Sequence, residues 1–147
     1  IVLDTGPLGM AVRGDKYPPF ARWLRRTVES GILLCVPEIA DYELRRGYLL
    51  KGWLDQTARL DELGKALRYV PLTTSAIRRA AGFWADARRN GIQTAPDPAL
   101  DGDVILAAQT LELAASLQLQ PNDVIVATDN VGHLGRYVDA QRWSDSQ

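Results

Sequence analysis

Runs of apolar residues and the breakers between them divide the chain into elements. Ile1-Val2-Leu3 is uninterrupted and ends in Asp4, and Thr5-Gly6-Pro7 cannot continue a strand, so the pattern predicts a buried strand and its exit loop. A second run, 32–36, follows Gly31 and is closed by Pro37. A third, Val124-Ile125-Val126-Ala127, follows the turn Pro121-Asn122-Asp123 and ends in Thr128-Asp129-Asn130. Residues 69–72 and 138–143 are weaker strand candidates. The runs at the two ends of the chain show no alternation of apolar and polar positions, the pattern of strands covered on both faces.

Between these runs the period is helical. Ile77, Ala80, Ala81 and Trp84 follow the i, i+3, i+4, i+7 spacing, with Arg78, Arg79, Asp86 and Arg89 turned outward and Thr73 or Thr74 as the N-cap. Leu60, Leu63 and Leu67 mark a shorter amphipathic helix, and 20–28 and 39–50 are two more. Segment 103–119 is so apolar that it predicts a largely buried helix. The order of elements predicts one α/β layered domain over 1–147 with a mainly parallel sheet, residues 91–102 with Pro96 and Pro98 forming a loop inside it.

Composition narrows the chemistry. With 147 residues, 46% hydrophobic and 24% charged, the chain has the mixture of one globular domain, which excludes collagen-like, disordered and coiled-coil architectures. No apolar run approaches the roughly 20 residues of a membrane span, and no basic segment followed by a signal-type apolar region opens the chain, so a soluble, cytoplasmic protein is expected. The chain begins at Ile1 rather than methionine, and at least one preceding residue is expected. One cysteine, Cys35, and one histidine, His133, exclude an internal disulfide and a structural zinc site, so any metal must be held by oxygen. The net charge of -1 denies the whole chain a basic nucleic-acid signature. Arginine nevertheless supplies 14 of the 17 cations, several as pairs such as Arg25-Arg26 and Arg45-Arg46; guanidinium forks suit phosphates, and a codon bias toward arginine gives the same count.

Acids stand where an open parallel sheet binds ligands, at the carboxyl ends of its strands. Asp4 and Asp129 each follow an apolar strand run. Alone, Asp4 is also explained by a hydrogen bond to the Thr5-Gly6 turn. Asp103 opens the apolar helix, where one acid serves as cap, but Asp101 already supplies it. Glu43 lies on the helix over 39–50 and alone reads as a surface glutamate beside arginines. Together, four carboxylates in one crevice repel by about 3 kcal/mol per pair at ~5 Å and an effective dielectric of ~20, raising at least one carboxyl pKa. A divalent cation neutralises such a group, and an all-oxygen site suits Mg2+ or Mn2+ and phosphate chemistry.

These residues resemble the PIN-domain ribonucleases, the fold of the toxins in virulence-associated type II toxin-antitoxin systems. The resemblance rests on Ile1-Val2-Leu3-Asp4-Thr5, on the stretch from Val36-Pro37-Glu38 through Glu43-Leu44-Arg45-Arg46-Gly47, on Asp103-Val104-Ile105-Leu106-Ala107-Ala108, and on Thr128-Asp129-Asn130-Val131-Gly132-His133. Separations of 39, 60 and 26 residues between Asp4, Glu43, Asp103 and Asp129 are similar to those of small PIN proteins. The resemblance implies a PIN-like three-layer domain with a five-stranded parallel sheet, a homodimer, an antitoxin whose tail lies across the groove, and single-stranded RNA cut to leave a 5′-phosphate. It assigns Asp4, Glu43 and Asp103 to the first three acidic positions. It places Asn130 at the fourth and Thr128 at the hydroxyl position, with Asp129 a neighbour that adds charge or a substitute ligand. On this reading Asp4, Asp103 and Asp129 hold the metal, Glu43 orients or deprotonates the attacking water, and Thr5, Thr128 and Asn130 assist. Arg13, Arg45 and Arg46 are candidate RNA-backbone contacts, with a solvated helix face as the simpler reading.

Rival folds fail on particular residues. A phosphotransferase of the haloacid dehalogenase type needs a second Asp two residues after Asp4, where Gly6 stands; a receiver domain needs a late lysine, and the last is Lys65. A PIN-fold scaffold that binds RNA or protein without cutting remains the alternative to an enzyme. Cys35 is expected as a core residue, and Trp23, Trp53 and Trp84 as core or dimer interface; His133 could approach the crevice through the Val131-Gly132 turn, with a hydrogen-bonded surface histidine as the preferred reading. The apolar residues around Trp53, Leu54 and Leu60 point to a symmetric interface.

Overall fold

Each predicted strand forms, shorter than its apolar run. The computed structural model describes residues 1–92 and 101–145, so most of the loop expected over 91–102 lies outside the described residues. Strands β1 (Val2–Leu3), β2 (Cys35–Pro37), β3 (Arg68–Val70), β4 (Ile125–Ala127) and β5 (Asp139–Gln141) form a five-stranded sheet in the order β3-β2-β1-β4-β5. Every pairing is parallel, with Val2 beside Cys35 on one side and Val126 on the other. The chain winds outward from β1 to β3 and then returns to the other side of β1. That reversal opens a crevice between the carboxyl ends of β1 and β4.

Helices cover both faces: α1 (Thr5–Val12), α2 (Pro18–Glu29), α3 (Glu38–Leu50), α4 (Leu54–Ala66), α5 (Thr74–Arg89), α6 (Gly102–Ser116) and α7 (Val131–Leu134). Because strand side chains alternate, Leu3 joins one core with Leu8, Phe20, Trp23, Val36 and Leu60, while Val2 joins the other with Ile39, Ala80, Ile105, Val126 and Leu134. Helix α6 is buried along most of its length, as its apolar sequence requires. Its Gln109 donates to Val70 O (2.9 Å) and accepts from Ile39 N–H (3.3 Å), tying the end of β3 and the start of α3 to one point. Among the described residues no helix is long and apolar enough to cross a membrane.

Four expectations change. Thr5-Gly6-Pro7 is the first turn of α1 rather than a loop, because the first N–H groups of a helix have no partner within it and proline there costs nothing. Ile32 and Leu33 stand outside the sheet and remain exposed; the strand begins only where β1 and β3 flank it. The buried face of α5 is Ala76, Ala80 and Ala87, with Ile77 and Ala81 turned outward, so the helix is rotated by one position from the expected stripe. Packing against α6 favours the small alanines over the larger Ile77 at this contact. Leu60, expected at an interface, is fully buried in the core, whereas Trp53 and Leu54 are exposed together with Leu49 and Leu50. Thr73, not Thr74, caps α5, accepting from Ala76 N–H at 3.0 Å.

Candidate active site

Asp4 stands at the junction of β1 and α1 and serves both. Its Oδ1 accepts from Thr5 N–H (2.6 Å) and caps α1, while Oδ2 accepts from the Thr128 hydroxyl at the end of β4 (2.6 Å). The turn reading and the crevice reading of Asp4 therefore hold together, one oxygen each. Thr128 is fully buried and also accepts from Asn130 N–H (2.8 Å), so one hydroxyl links the ends of β1 and β4 to the chain beyond.

Glu43 reaches the same crevice from α3. Its Oε2 accepts from the Thr5 hydroxyl (2.5 Å), and its Oε1 lies against the backbone of Gly102, where a β-carbon would stand only 2.5 Å away. Asp103 follows in the first turn of α6, whose cap is Asp101, accepting weakly from Val104 N–H (3.5 Å). Because Asp101 takes the cap, Asp103 projects into the crevice, where Oδ2 accepts from Asn130 Nδ2 (2.8 Å) and lies 3.3 Å from His133 Nδ1.

The fourth position divides in two. Asn130 is bound to Asp103, whereas Asp129 is exposed and turned across α1, its Oδ2 3.1 Å from where a β-carbon on Gly6 would lie. His133, expected as a surface residue, sits one turn after Asn130 on α7 and shares its carboxylate partner. The three-residue spacing of Asn130 and His133 was the readable signal, since residues so spaced share a helix face.

Asp4 carries the electrostatic strain of the group. Burial pushes its carboxyl pKa upward, and the nearby charges of Asp103 and Glu43 push it further, against the hydrogen bonds from Thr128 and Thr5. Repulsion was the expected cause; desolvation is the larger one. Among the described residues, no three His, Cys, Asp or Glu side chains are gathered closely enough to hold a metal ion.

The arginines expected near the groove are engaged elsewhere. Arg45 makes a two-pronged contact with Asp41 (2.7 and 3.1 Å) and another with Asp61 (2.7 Å), which raises its pKa. Arg13 donates to Gly9 O (3.2 Å) with its guanidinium over Tyr17, and Arg46 lies over the Tyr42 ring. A cavity of about 600 Å³ runs past Tyr42, Arg45, Tyr69, Leu72 and Ile77. There burial and the adjacent Asp41 and Glu38 push the Tyr69 hydroxyl up to about 12.

This fold is shared with solved structures. A chain of VapBC2 from Rickettsia felis, bound to a DNA fragment from their promoter, aligns with a TM-score of 0.71 at 15% identity, covering 97% of both chains. The fold is PIN-like. The PIN-like fold also aligns with VapBC-1 of nontypeable Haemophilus influenzae (TM-score 0.66, 16% identity, 97% of both chains). DNA-bound VapBC from Salmonella typhimurium aligns with a TM-score of 0.62 at 20% identity, over 97% of this chain and 96% of that one. No family model matches the sequence, and no curated protein matches it. The resemblance drawn from the four motifs is borne out in the fold.

Proposed function

We propose that this PIN-like domain is a metal-dependent endoribonuclease that cuts single-stranded RNA in the cytoplasm and is the toxin of a toxin-antitoxin pair. The observation that carries this reading is the placement of Asp4, Glu43 and Asp103 at the β1–β4 crevice, where burial first and the neighbouring acids second raise the Asp4 pKa, and where none of the three has a lysine or arginine partner among the described residues. A fold that spends stability on unneutralised acids requires a cation from outside.

The donor set fits Mg2+ or Mn2+. It is all oxygen, and Mg2+ keeps most of its waters and takes one or two carboxylates, so a closed cage of three is not required. Asp4 and Asp103 would hold the ion, with Asp129 or Asn130 beside them. When bound, it supplies a lowered water pKa and charge stabilisation at the phosphate. The protein's own groups do the positioning. Thr5 pins one oxygen of Glu43 and leaves the other to accept a proton from a water aligned for in-line attack on phosphorus. Thr128 orients Asp4, and Asn130 with His133 orients Asp103. The scissile bond breaks to the 3′ oxygen, leaving a 5′-phosphate.

The VapBC neighbours support an antitoxin partner for this chain. The exposed apolar group Leu49, Leu50, Trp53 and Leu54, where α3 meets α4, is the surface we assign to a homodimer contact. The test is cleavage of a labelled single-stranded RNA with Mg2+ or Mn2+ and with EDTA. Cleavage in metal alone, with 5′-phosphate ends, is the expected result; cutting that persists in EDTA removes the metal mechanism, and binding without cutting returns the protein to a scaffold. A reading frame for a small DNA-binding protein directly upstream is expected for a toxin, and its absence favours a solitary RNA-processing enzyme.

A further inference from the structure

Two large side chains stay about half-exposed on the helices around the crevice: Ile77 of α5, 45%, and Tyr42 of α3, 48%. Both line the cavity of about 600 Å³, whose apolar walls also include Ile39, Leu72 and Ile105. This cavity shares two helices with the crevice acids. Ile39 stands one turn before Glu43 on α3, which puts their β-carbons about 5–6 Å apart, and Tyr42 is the chain neighbour of Glu43. Ile105 follows Asp103 by two residues in α6, and Gly102 at the start of that helix lies against Glu43 Oε1. A stacked strand carries a phosphate about every 3.4 Å, so a strand with its scissile phosphate at Glu43 passes this opening within one or two nucleotides. Arg46 marks the same path. On the helical wheel it falls between Tyr42 and Glu43. It is exposed, lies over the Tyr42 ring (5.3 Å) and makes no ion pair among the described residues, although Glu43 is three residues away. A guanidinium over a ring keeps its N–H edge free for a phosphate.

The polar groups of the cavity wall are only half used. Glu38 Oε2 accepts from Leu72 N–H (2.6 Å), and Oε1 has no partner among the described residues. Arg45 spends Nε and Nη2 on Asp41 and Asp61, and its Nη1 makes no hydrogen bond among the described residues. The wall therefore offers one acceptor and one pair of N–H donors beside apolar faces, which is what a flat heterocycle with a polar rim requires. We propose that this cavity is a nucleobase subsite selective for guanine, holding a base beside the scissile phosphate while Arg46 holds the adjoining backbone. Tyr42, with Arg46 on one face of its ring, offers the other face to the base. Glu38 Oε1 accepts from guanine N1–H and N2–H, and Arg45 Nη1 donates to O6. This rests on the nuclease reading above and deepens it by naming a sequence preference. Guanine is favoured because it alone among the four bases sets two adjacent N–H donors beside a carbonyl. An apolar peptide side chain would fill the same walls and leave Glu38 and Arg45 unanswered, at the cost of unpaired polar groups.

The experiment digests a pool of random single-stranded RNA with Mn2+ and maps the cuts by sequencing the ends. Wild type is expected to show guanine enriched at least ~5-fold at one fixed position within two nucleotides of the break, the low end of what one good base contact discriminates. Glu38→Gln, which keeps an acceptor for Leu72 N–H, and Ile77→Trp, which fills the open side of the cavity, should each flatten that enrichment to within ~2-fold while cutting continues. Tyr42→Ala should lose the enrichment and Tyr42→Phe keep it, which separates ring stacking from a damaged fold. Fluorescence anisotropy of four labelled RNAs that differ in one base, bound in the Glu43→Gln background, reads the same ranking for any variant that stops cutting. In that assay Arg46→Gln should weaken all four alike and lower the slope of log K against log salt by about 0.7, the value for one phosphate. Wild type that cuts without preferring guanine, or a preference that survives both Glu38→Gln and Ile77→Trp, overturns the proposal and leaves the nuclease reading standing; wild type that neither binds nor cuts RNA overturns both.

Discussion

Helix α3 carries two acids two residues apart that meet opposite fates. Asp41 is 6% exposed and gripped by both prongs of Arg45, which also holds Asp61 of α4. Glu43 turns into the crevice, where its partner is a threonine hydroxyl and its neighbours include Asp4, another acid. The fold thus has the means to neutralise a carboxylate on this helix and does not use it at the crevice. Paired acids hold elements together; unpaired ones are a cost that structure alone does not repay.

The sharpest way to break this contrast is to neutralise each acid in turn. Asp4→Asn and Glu43→Gln are expected to keep the fold and lose at least ~100-fold in RNA cleavage, the lower range for a positioned acid-base or electrostatic group. Asp41→Asn should instead retain turnover within a few-fold and lose stability. Equal activity losses in all three, measured as initial rates on one RNA, would erase the distinction.

Next in size is the cost of removing the cation. Arg45→Met leaves Asp41 buried without its guanidinium, with the Tyr69 hydroxyl still beside it, and thermal or urea unfolding should read a loss of about 2 kcal/mol, the scale of a hydrogen bond to a charged group. A loss under a few tenths would mean that Asp41 is no better served than the crevice acids.

The crevice acids predict the opposite response. A raised Asp4 pKa means the native state binds more protons than the unfolded chain, so the strain is fully present at neutral pH and relieved as pH falls through the raised value. In EDTA, this contribution should make wild type gain stability relative to Asp4→Asn on mild acidification from pH 7; a flat difference would sink it. Metal at ten times its Kd should add about 1.4 kcal/mol, or roughly 3 to 6 °C in Tm. Asp103→Asn should be as stable as wild type or more so without Mn2+ and much less shifted by it. A variant weaker in EDTA yet fully shifted by Mn2+ would make Asp103 a helix residue only.

The smallest effect separates stability from function most cleanly. Gly102→Ala adds a β-carbon in the first turn of α6, which favours the helix by about 0.4–1 kcal/mol through the unfolded chain. That carbon would stand 2.5 Å from Glu43 Oε1 and push the flexible carboxylate aside. A higher Tm with slower cleavage is expected; unchanged cleavage would show that Glu43 needs no access to this backbone.

Local pattern determined much of this protein. The apolar runs at β1, β2 and β4, the amphipathic period of α2 to α5 and the Asp101 cap of α6 all report energetics settled within a few residues, and the order of these elements already implies a parallel sheet with acids at its strand ends. Tertiary structure decided what depends on residues far apart in sequence. Gln109 ties Ile39 to Val70, Arg45 is drawn to Asp61, and α5 turns by one position to press alanines on α6. Thr128 was expected near the crevice, but that its hydroxyl binds Asp4, 124 residues away, and that Asn130 rather than Asp129 joins Asp103 follow from the β1–β4 pairing. Side-chain partners across elements are set by packing, and no periodicity along the chain encodes which of two adjacent residues will face the crevice.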